Sequence, residues 1–423
     1  MLWSSATFSS LNRETHAASK VAMRILLLNH YYPPDTSATA KMAATVVEAL
    51  SERHDVTVLC GRPSYDSPER RPWRLWQTET AGRARIIRVG STDYSRFDMK
   101  RRVINYLTYV AWATPGALFL RSDVVLAMTD PPFEGIVGAV VAVLKAKPYV
   151  YNIRDLYPDM ATGGEIVEPG LLSRIWEVLH RWALRHTTQV IVLGEDMRAR
   201  IAAKGIDPRG IKVVRDGIDI LPSGAPEPRL DDDVIRTIRA DFKFVLLHAG
   251  NLGFYGAWET LVAAVRSLQE EGVGLVFVGE GAQRTRIEAF AKGTPNVRFL
   301  SFFPASKLRS VLAAPDAHVI TVKRGLEGVV VPSKMYGILA AGKPIVAVAV
   351  EETDVASLGA KFGFAVSADP DSPTEVASAI RSLAGDSVKV RSMGRAARAV
   401  APDYDRVKEL QKFVKIIEEA AGA

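Results

Sequence analysis

The chain has 423 residues, more than one hydrophobic core usually organises, so two domains are expected. Hydrophobic residues make up 48% and charged residues 24%, which excludes fibrous and disordered classes and predicts a compact, soluble fold. Cys60 is the only cysteine, which excludes an intramolecular disulfide and fits a reducing cytoplasm; the net charge of +7 favours an anionic partner without choosing among phosphate, nucleic acid and an acidic membrane.

Residues 1–22 are rich in Ser, Thr and Ala and lack the apolar stretch of a secretory signal, so they read as a disordered extension. Arg24 to Asn29 is a short apolar run, followed by a turn-rich loop from Pro33 to Thr39 and a helical stretch through Leu50. Val56–Leu59, Ile86–Val89, Val124–Met128, Tyr149–Ile153 and Val190–Leu193 continue as buried-strand candidates. Between them, Val103 to Leu120 carries no charge and follows Lys100, Arg101 and Arg102. That length barely suits a membrane span, and Asn105, Thr108, Thr114 and Pro115-Gly116 argue against one. Two readings stay open: a core helix ending near Pro115, and an interfacial helix whose basic flank meets anionic lipid.

After Asp219 a Pro- and Gly-rich stretch, Leu221 to Pro228, marks a linker. A second strand series follows at Phe244–His248, Leu275–Val278, Val297–Leu300, His318–Val322, Ile345–Val348 and Gly363–Val366, and a last helix spans about Arg406 to Ala421. The expected organisation is therefore α/β: a Rossmann-like domain over 23–220, a linker over 221–241, a second Rossmann-like domain over 242–403, and a terminal segment, 404–423, that crosses back. No recognisable nucleic-acid motif accompanies the scattered arginines, so no nucleic acid is expected.

In two open parallel sheets the loops at the carboxyl ends of the strands are where ligands bind. Arg154 and Asp155 directly follow one strand, which makes Asp155 the acid/base candidate, with a salt bridge or a helix cap as the plain alternative. His30, at another strand end, reads as a packing or hydrogen-bonding residue. His180, His186 and His248 lack metal-ligand spacing, and Asp231-Asp232-Asp233 reads as a helix start, so no metal is assigned.

The most informative segment runs from Gly325 to Pro344, GLEGVVVPSKMYGILAAGKP. Pro332 and Ser333 read as a helix start, Gly342 as its carboxyl cap and Pro344 as the stop before a strand. Free amides near Ser333 and Lys334 with the lysine charge suit a phosphate, and Glu327 suits sugar hydroxyls. Gly279-Glu280-Gly281 follows a strand but lacks the third glycine of a dinucleotide fingerprint.

The Gly325–Pro344 segment resembles the donor-binding signature of family 4 retaining glycosyltransferases of the GT-B fold, in which two Rossmann-like domains face each other across a cleft. Asn29 to Thr36 and Gly61 to Tyr65 resemble the opening of bacterial polysaccharide-assembly members, such as colanic acid and O-antigen sugar transferases. Thr129-Asp130-Pro131-Pro132, Arg154 to Asp159, Asp216 to Asp219, Gly250 to Gly253 and Val278 to Gly281 follow in the family's order, so the likeness covers about 23–415. It implies a nucleotide diphosphate sugar donor, UDP before GDP, bound by Gly250, Asn251, Leu252, Gly253, Gly279, Gly281, Arg284, Lys323, Glu327, Val331, Pro332, Ser333 and Lys334. On the acceptor or cleft side it places Pro34, Asp35, Thr36 and Asp130, and on the chemistry Asp155 and Arg154. A lipid-linked or oligosaccharide acceptor is implied, with no cofactor or metal, in the cytoplasm or at the inner face of its membrane.

Many family members carry two glutamates eight positions apart, the second holding the donor ribose; here Val329 and Gly337 stand in those places. The Arg and Lys that often hold the diphosphate are likewise missing around Asn251 to Gly256. Those departures keep two other readings in view: a non-catalytic partner or binding module with a degenerate donor site, and a dinucleotide-dependent Rossmann enzyme.

Overall fold

A computed structural model describes residues 22–65, 72–94, 99–164, 167–220 and 229–422. The expected amino-terminal extension, up to residue 21, and the Leu221–Pro228 stretch lie outside the described residues.

The first domain contains strands β1 (Arg24–Leu28), β2 (Asp55–Cys60), β3 (Trp76–Ala81), β4 (Ala84–Val89), β5 (Val124–Ala127), β6 (Tyr149–Asn152), β7 (Gln189–Val192) and β8 (Ile211–Val213). Its helices are α1 (Ala38–Ser51), α2 (Met99–Phe119), α3 (Glu134–Lys145), α4 (Asp159–Gly163), α5 (Leu171–Arg185) and α6 (Glu195–Ala203). The sheet order is β3-β4-β2-β1-β5-β6-β7-β8, parallel throughout except for the β3–β4 hairpin. The β1, β5 and β6 strands are apolar along their length because helices cover both faces. On one face α2, α3, α5 and α6 pack over Leu28, Val125, Tyr149 and Val190. On the other, α1 packs over Ile25, Val58 and Leu126.

The second domain contains α7 (Asp232–Arg239), β9 (Phe244–Ala249), α8 (Trp258–Arg266), β10 (Val273–Val278), α9 (Arg284–Phe290), β11 (Val297–Leu300), α10 (Leu308–Ala313), β12 (Ala317–Thr321), α11 (Lys334–Ala340), β13 (Ile345–Val348), α12 (Asp354–Phe362), β14 (Ala365–Ala368), α13 (Pro373–Ala384) and α14 (Ser387–Val400). Its sheet runs β11-β10-β9-β12-β13-β14, the doubly wound order. The final helix, α15 (Arg406–Gly422), returns to the first domain, where Leu410, Phe413 and Ile417 are buried with α1 against the sheet. That is the crossing expected of the terminal segment.

Two expectations change. The linker is shorter than 221–241, because Val234 and Ile238 of α7 are buried with Val245 and Leu247 in the second domain's core. Asp231 does start this helix, accepting from the amides of Asp233 and Val234. The α2 helix does not stop near Pro115 but contains it and runs on to Phe119; Pro115 lies on the exposed side. No helix among the described residues is long and apolar enough to cross a membrane.

Candidate active site

Each sheet reverses its strand order once, between β1 and β5 in the first domain and between β9 and β12 in the second. Loops leaving the carboxyl ends at such a reversal form a crevice, and here two crevices oppose each other. Pro34, Asp35 and Thr36 follow β1, Asp130 follows β5, and Arg154 and Asp155 follow β6. Across the cleft Gly250–Gly253 follow β9, Gly279 and Gly281 follow β10, and Lys323, Glu327, Val331, Pro332 and Ser333 follow β12.

On the second domain's side Lys334 opens α11, and its Nζ lies 3.1 Å from His248 Nε2 on β9 and 5.7 Å from the Tyr255 ring centre. Burial pulls its ammonium down to about 7, and among the described residues no carboxylate pairs with it. Burial also holds His248 neutral, so its ring nitrogen can accept from the lysine. A partly buried cation with only neutral neighbours is left to be matched by an anion from outside. Gly250 has φ +143, and a Cβ there would stand 3.2 Å from Lys334 Nζ, so glycine keeps the lysine tip open to the turn after β9.

The loops after β9 and β10 are zipped together. A Cβ on Gly279 would lie 2.0 Å from the Gly250 carbonyl oxygen, and one on Gly281 2.4 Å from that of Leu252. The Leu252 amide donates to the Glu280 carbonyl at 2.9 Å and its side chain is in the core, so Leu252 shapes the turn rather than offering a group to a ligand. Asn251 accepts the Tyr255 hydroxyl at its carbonyl, 2.6 Å, and Gly253 accepts from the Trp258 indole at 2.8 Å.

Other expected donor residues are already engaged. Arg284 lies between Glu280, 2.5 Å, and Glu288, 2.7 Å, and donates to the Gly279 carbonyl, so two carboxylates offset its charge. Arg324 is bound to Asp369 and Asp371. Lys323 donates its amide to Tyr255 at 2.7 Å. The Glu327 carboxylate accepts from the Gly325 amide at 2.7 Å, closing its own loop. Ser333 occupies the N-cap of α11, exposed and with no side-chain cap, while Gly342, φ +65, follows its carboxyl end as expected. Val331 packs against the first domain's core, and Pro332 is half-buried beside it.

On the first domain's side Arg154 donates to Asp216 at 2.7 Å, and Asp155 is lifted to about 6 by burial and by the neighbouring Asp130 carboxylate, against the pull of Arg154. Asp130 is itself raised by burial, opposed by Arg102 and Thr39. Arg102 donates to the Tyr106 hydroxyl at 2.5 Å, and Tyr106 meets Tyr31 at 3.4 Å. This arginine, expected at the membrane flank, is instead turned into the cleft wall. The signal was its i, i+4 spacing to Tyr106 at a helix that leaves a carboxyl strand end.

Asp35 holds another surprise. Its Oδ1 accepts from the amides of Ser64, 2.8 Å, and Tyr65, 2.7 Å, and the residue is buried, so it staples two loops together. Thr36 joins that staple through its amide and the Tyr65 carbonyl, and Pro34 lies half-buried in the same loop. His30 is fully buried among Tyr31, Tyr106 and Tyr109, with its ring pushed down to about 3, a packing residue.

The two sides touch. The Leu156 amide donates to the Val329 carbonyl at 2.9 Å, and Asp155 bridges Val330 in antiparallel fashion. Arg200 donates to the carbonyls of Gly325, 3.1 Å, and Glu327, 3.0 Å. Leu326 and Val329 are buried in the first domain's core. The loop that leads to Lys334 is thus fixed on the residue that follows β6.

Two doubly wound domains with opposed crevices are the arrangement of the GT-B fold, and the domain matches make the chain a glycosyltransferase. Residues 37–217 match the glycosyl transferase 4-like domain and residues 243–386 the glycosyl transferases group 1 domain, one on each side of the cleft. It is similar to a probable glycosyltransferase, WbjE of Pseudomonas aeruginosa, with 25% identity over 301 residues, 70% of this chain and 74% of the relative. It is also similar to WcaI of Escherichia coli, a putative colanic acid biosynthesis glycosyl transferase, with 23% identity over 393 residues, 85% of this chain and 91% of the relative. Among solved structures it shares its fold with HepE of Anabaena in complex with UDP-glucose, with a TM-score of 0.63, 17% identity and coverage of 95% and 100%.

Proposed function

We propose that this glycosyltransferase moves a hexosyl or acetamido-sugar unit, with retained configuration, from a nucleotide diphosphate sugar to a lipid-linked glycan in cell-surface polysaccharide assembly. The observation that carries the donor is Lys334, a partly buried amine with neutral neighbours at the glycine turn after β9. A diphosphate supplies the missing anion, and the lysine takes over a charge that family relatives place around Asn251 to Gly256. UDP is favoured as the nucleotide, in keeping with the UDP-glucose bound to HepE. The colanic acid role in the name of WcaI supports the polysaccharide assignment.

In this reading the acceptor hydroxyl attacks the anomeric carbon from the face that the diphosphate leaves. The carbon–oxygen bond to the phosphate breaks as the new one forms, and the hydroxyl proton passes to Asp155 or to the departing phosphate oxygen. Lys334 offsets the charge growing on the diphosphate, and no metal is required for that role. Arg154, tied to Asp216, positions Asp155, while Asp130 and Arg102 present hydrogen-bonding groups to the acceptor. The enzyme works in the cytoplasm at the inner face of the membrane, where a lipid-linked acceptor is presented.

Ligand-induced thermal stabilisation against UDP, GDP, ADP, TDP and NAD tests the donor class. A shift with one nucleoside diphosphate, lost in Lys334→Ala, is the expected result. A shift with NAD alone overturns the reading, and no shift with any nucleotide favours a non-catalytic partner.

A further inference from the structure

We propose that the outward sides of α5, α3 and α2 form one surface on which the enzyme lies against an anionic lipid bilayer. The inference rests on the membrane contact proposed above, and its argument uses no residue of the donor site.

On its inner side α5 is ordinary: Ser173, His180, Ala183 and Leu184 are buried against the domain. Its outer side inverts the usual pattern. Leu171, Leu172, Ile175, Val178 and Leu179 are exposed, Leu172 by 81% and Val178 by 65%. At about 100° per residue these positions fall in one stripe opposite the buried side. Arg174, Arg181 and Arg185, all exposed, run along one border of that stripe. Long apolar side chains beside a row of arginines make a helix that lies in the plane of a headgroup layer.

The neighbouring helices continue the surface. Next to α5, α3 exposes Val143 and Leu144, and beyond it α2 exposes Leu107, Trp112 and Phe119. More than half of the large apolar side chains exposed among the described residues lie on these three helices. A monomer rarely leaves so much contiguous apolar surface in water without a partner.

Charge selects the partner. Glu134 and Glu177 are the only acids in the three helices. Glu134 is fully buried, and Glu177 is bound by Arg181 at 2.6 Å and Lys204 at 2.9 Å. The exposed charge of the surface is therefore positive. A second copy of this chain docked through the same surface would oppose arginine to arginine, whereas lipid phosphates neutralise the row.

The orientation suits the cleft. The chain enters α2 from the carboxyl end of β4 and α5 from that of β6, so Leu171 and Leu172 lie at the cleft end of the sheet. Lipid held there brings a lipid-linked acceptor to the wall formed by Asp130 and Arg102.

Co-sedimentation of the full chain with vesicles of phosphatidylcholine, alone or with about a third phosphatidylglycerol, tests the surface. We expect binding to the anionic vesicles that weakens as salt is raised. Leu172→Glu with Val178→Glu should reduce it at least about tenfold. Arg174→Gln with Arg185→Gln should reduce it about fivefold per arginine on anionic vesicles and leave neutral ones unaffected. Both variants should keep the wild-type melting temperature and nucleotide-induced shift, so loss of that shift in the wild type would report on the donor reading and not on the surface. Wild-type protein that stays in the supernatant with anionic vesicles overturns the proposal. So does a Leu172→Glu/Val178→Glu variant that binds as well as wild type, or a solution dimer that this variant dissociates while no vesicles are bound.

Discussion

Asp155 and Lys334 titrate on opposite sides of the cleft and in opposite senses. In the proposed mechanism Asp155, lifted to about 6, can serve as a base only when ionised, so turnover is expected to fall as pH drops through about 6. Lys334, lowered to about 7, would attract the proposed diphosphate only when protonated, so donor capture is expected to fall as pH rises through about 7. The expected kcat/KM profile is therefore a narrow bell with its maximum between these values. Asp155→Asn should lower the rate roughly 10²–10⁴-fold and remove the acid limb, whereas Lys334→Ala should remove the alkaline limb. A pH–rate series on both variants decides it: an alkaline limb that survives in Lys334→Ala assigns it to another group. The place of Lys334 was legible in the sequence because Pro332 and Ser333 marked a helix start, and that of Asp155 because it follows a strand. The environment of Asp35 was not legible, since an acid after β1 looks the same in sequence whether or not one of its oxygens binds two backbone amides. Arg102 and Tyr106 were hidden because they reach the cleft from a helix and not from a loop.

At the scale of elements, strands buried on both faces announced themselves as apolar runs, and the edge strand β3 did not. Its sequence WQTETA is polar and mostly exposed, and only pairing with β4 makes it a strand. Periodicity also describes a stripe without saying what covers it. That is why α5, with one apolar side turned to the core and another to solvent, gave no warning of its outer surface. The return of α15 was expected from the sequence, but its packing partner was not; that follows from Phe413, 3% exposed and buried with α1. Phe413→Ala should cost about 3–5 kcal/mol of first-domain stability. Urea unfolding monitored in that domain checks it, and a loss below about 1 kcal/mol would mean that α15 is only loosely attached.

For the whole molecule, two Rossmann-like domains were legible from two strand series, but the closeness of their contact was not, because it depends on side chains far apart in the chain. Asp354 of the second domain accepts from the Glu195 amide at 3.0 Å and pairs with Arg215 at 3.0 Å, while its own amide donates to Asp196. Asp354→Ala leaves Arg215 without that carboxylate and should cost about 3–5 kcal/mol. Small-angle scattering of this variant should report a more extended molecule than wild type, and an unchanged profile would show that the Leu156–Val329 and Arg200 contacts hold the domains together without it. The two chain crossings between the domains run side by side: Ile218 pairs in parallel with Asp405, and the amides of Ile218 and Arg406 bind the carbonyls of Tyr404 and Ile218. A pair of strapped crossings resists twist far better than a single tether. The bending that such a strap resists least is a swing of both crossings together at residues 218 and 405. In the proposed mechanism, an opening that lifted Val330 from Asp155 would bend both segments at once, so product release and donor entry would share one hinge.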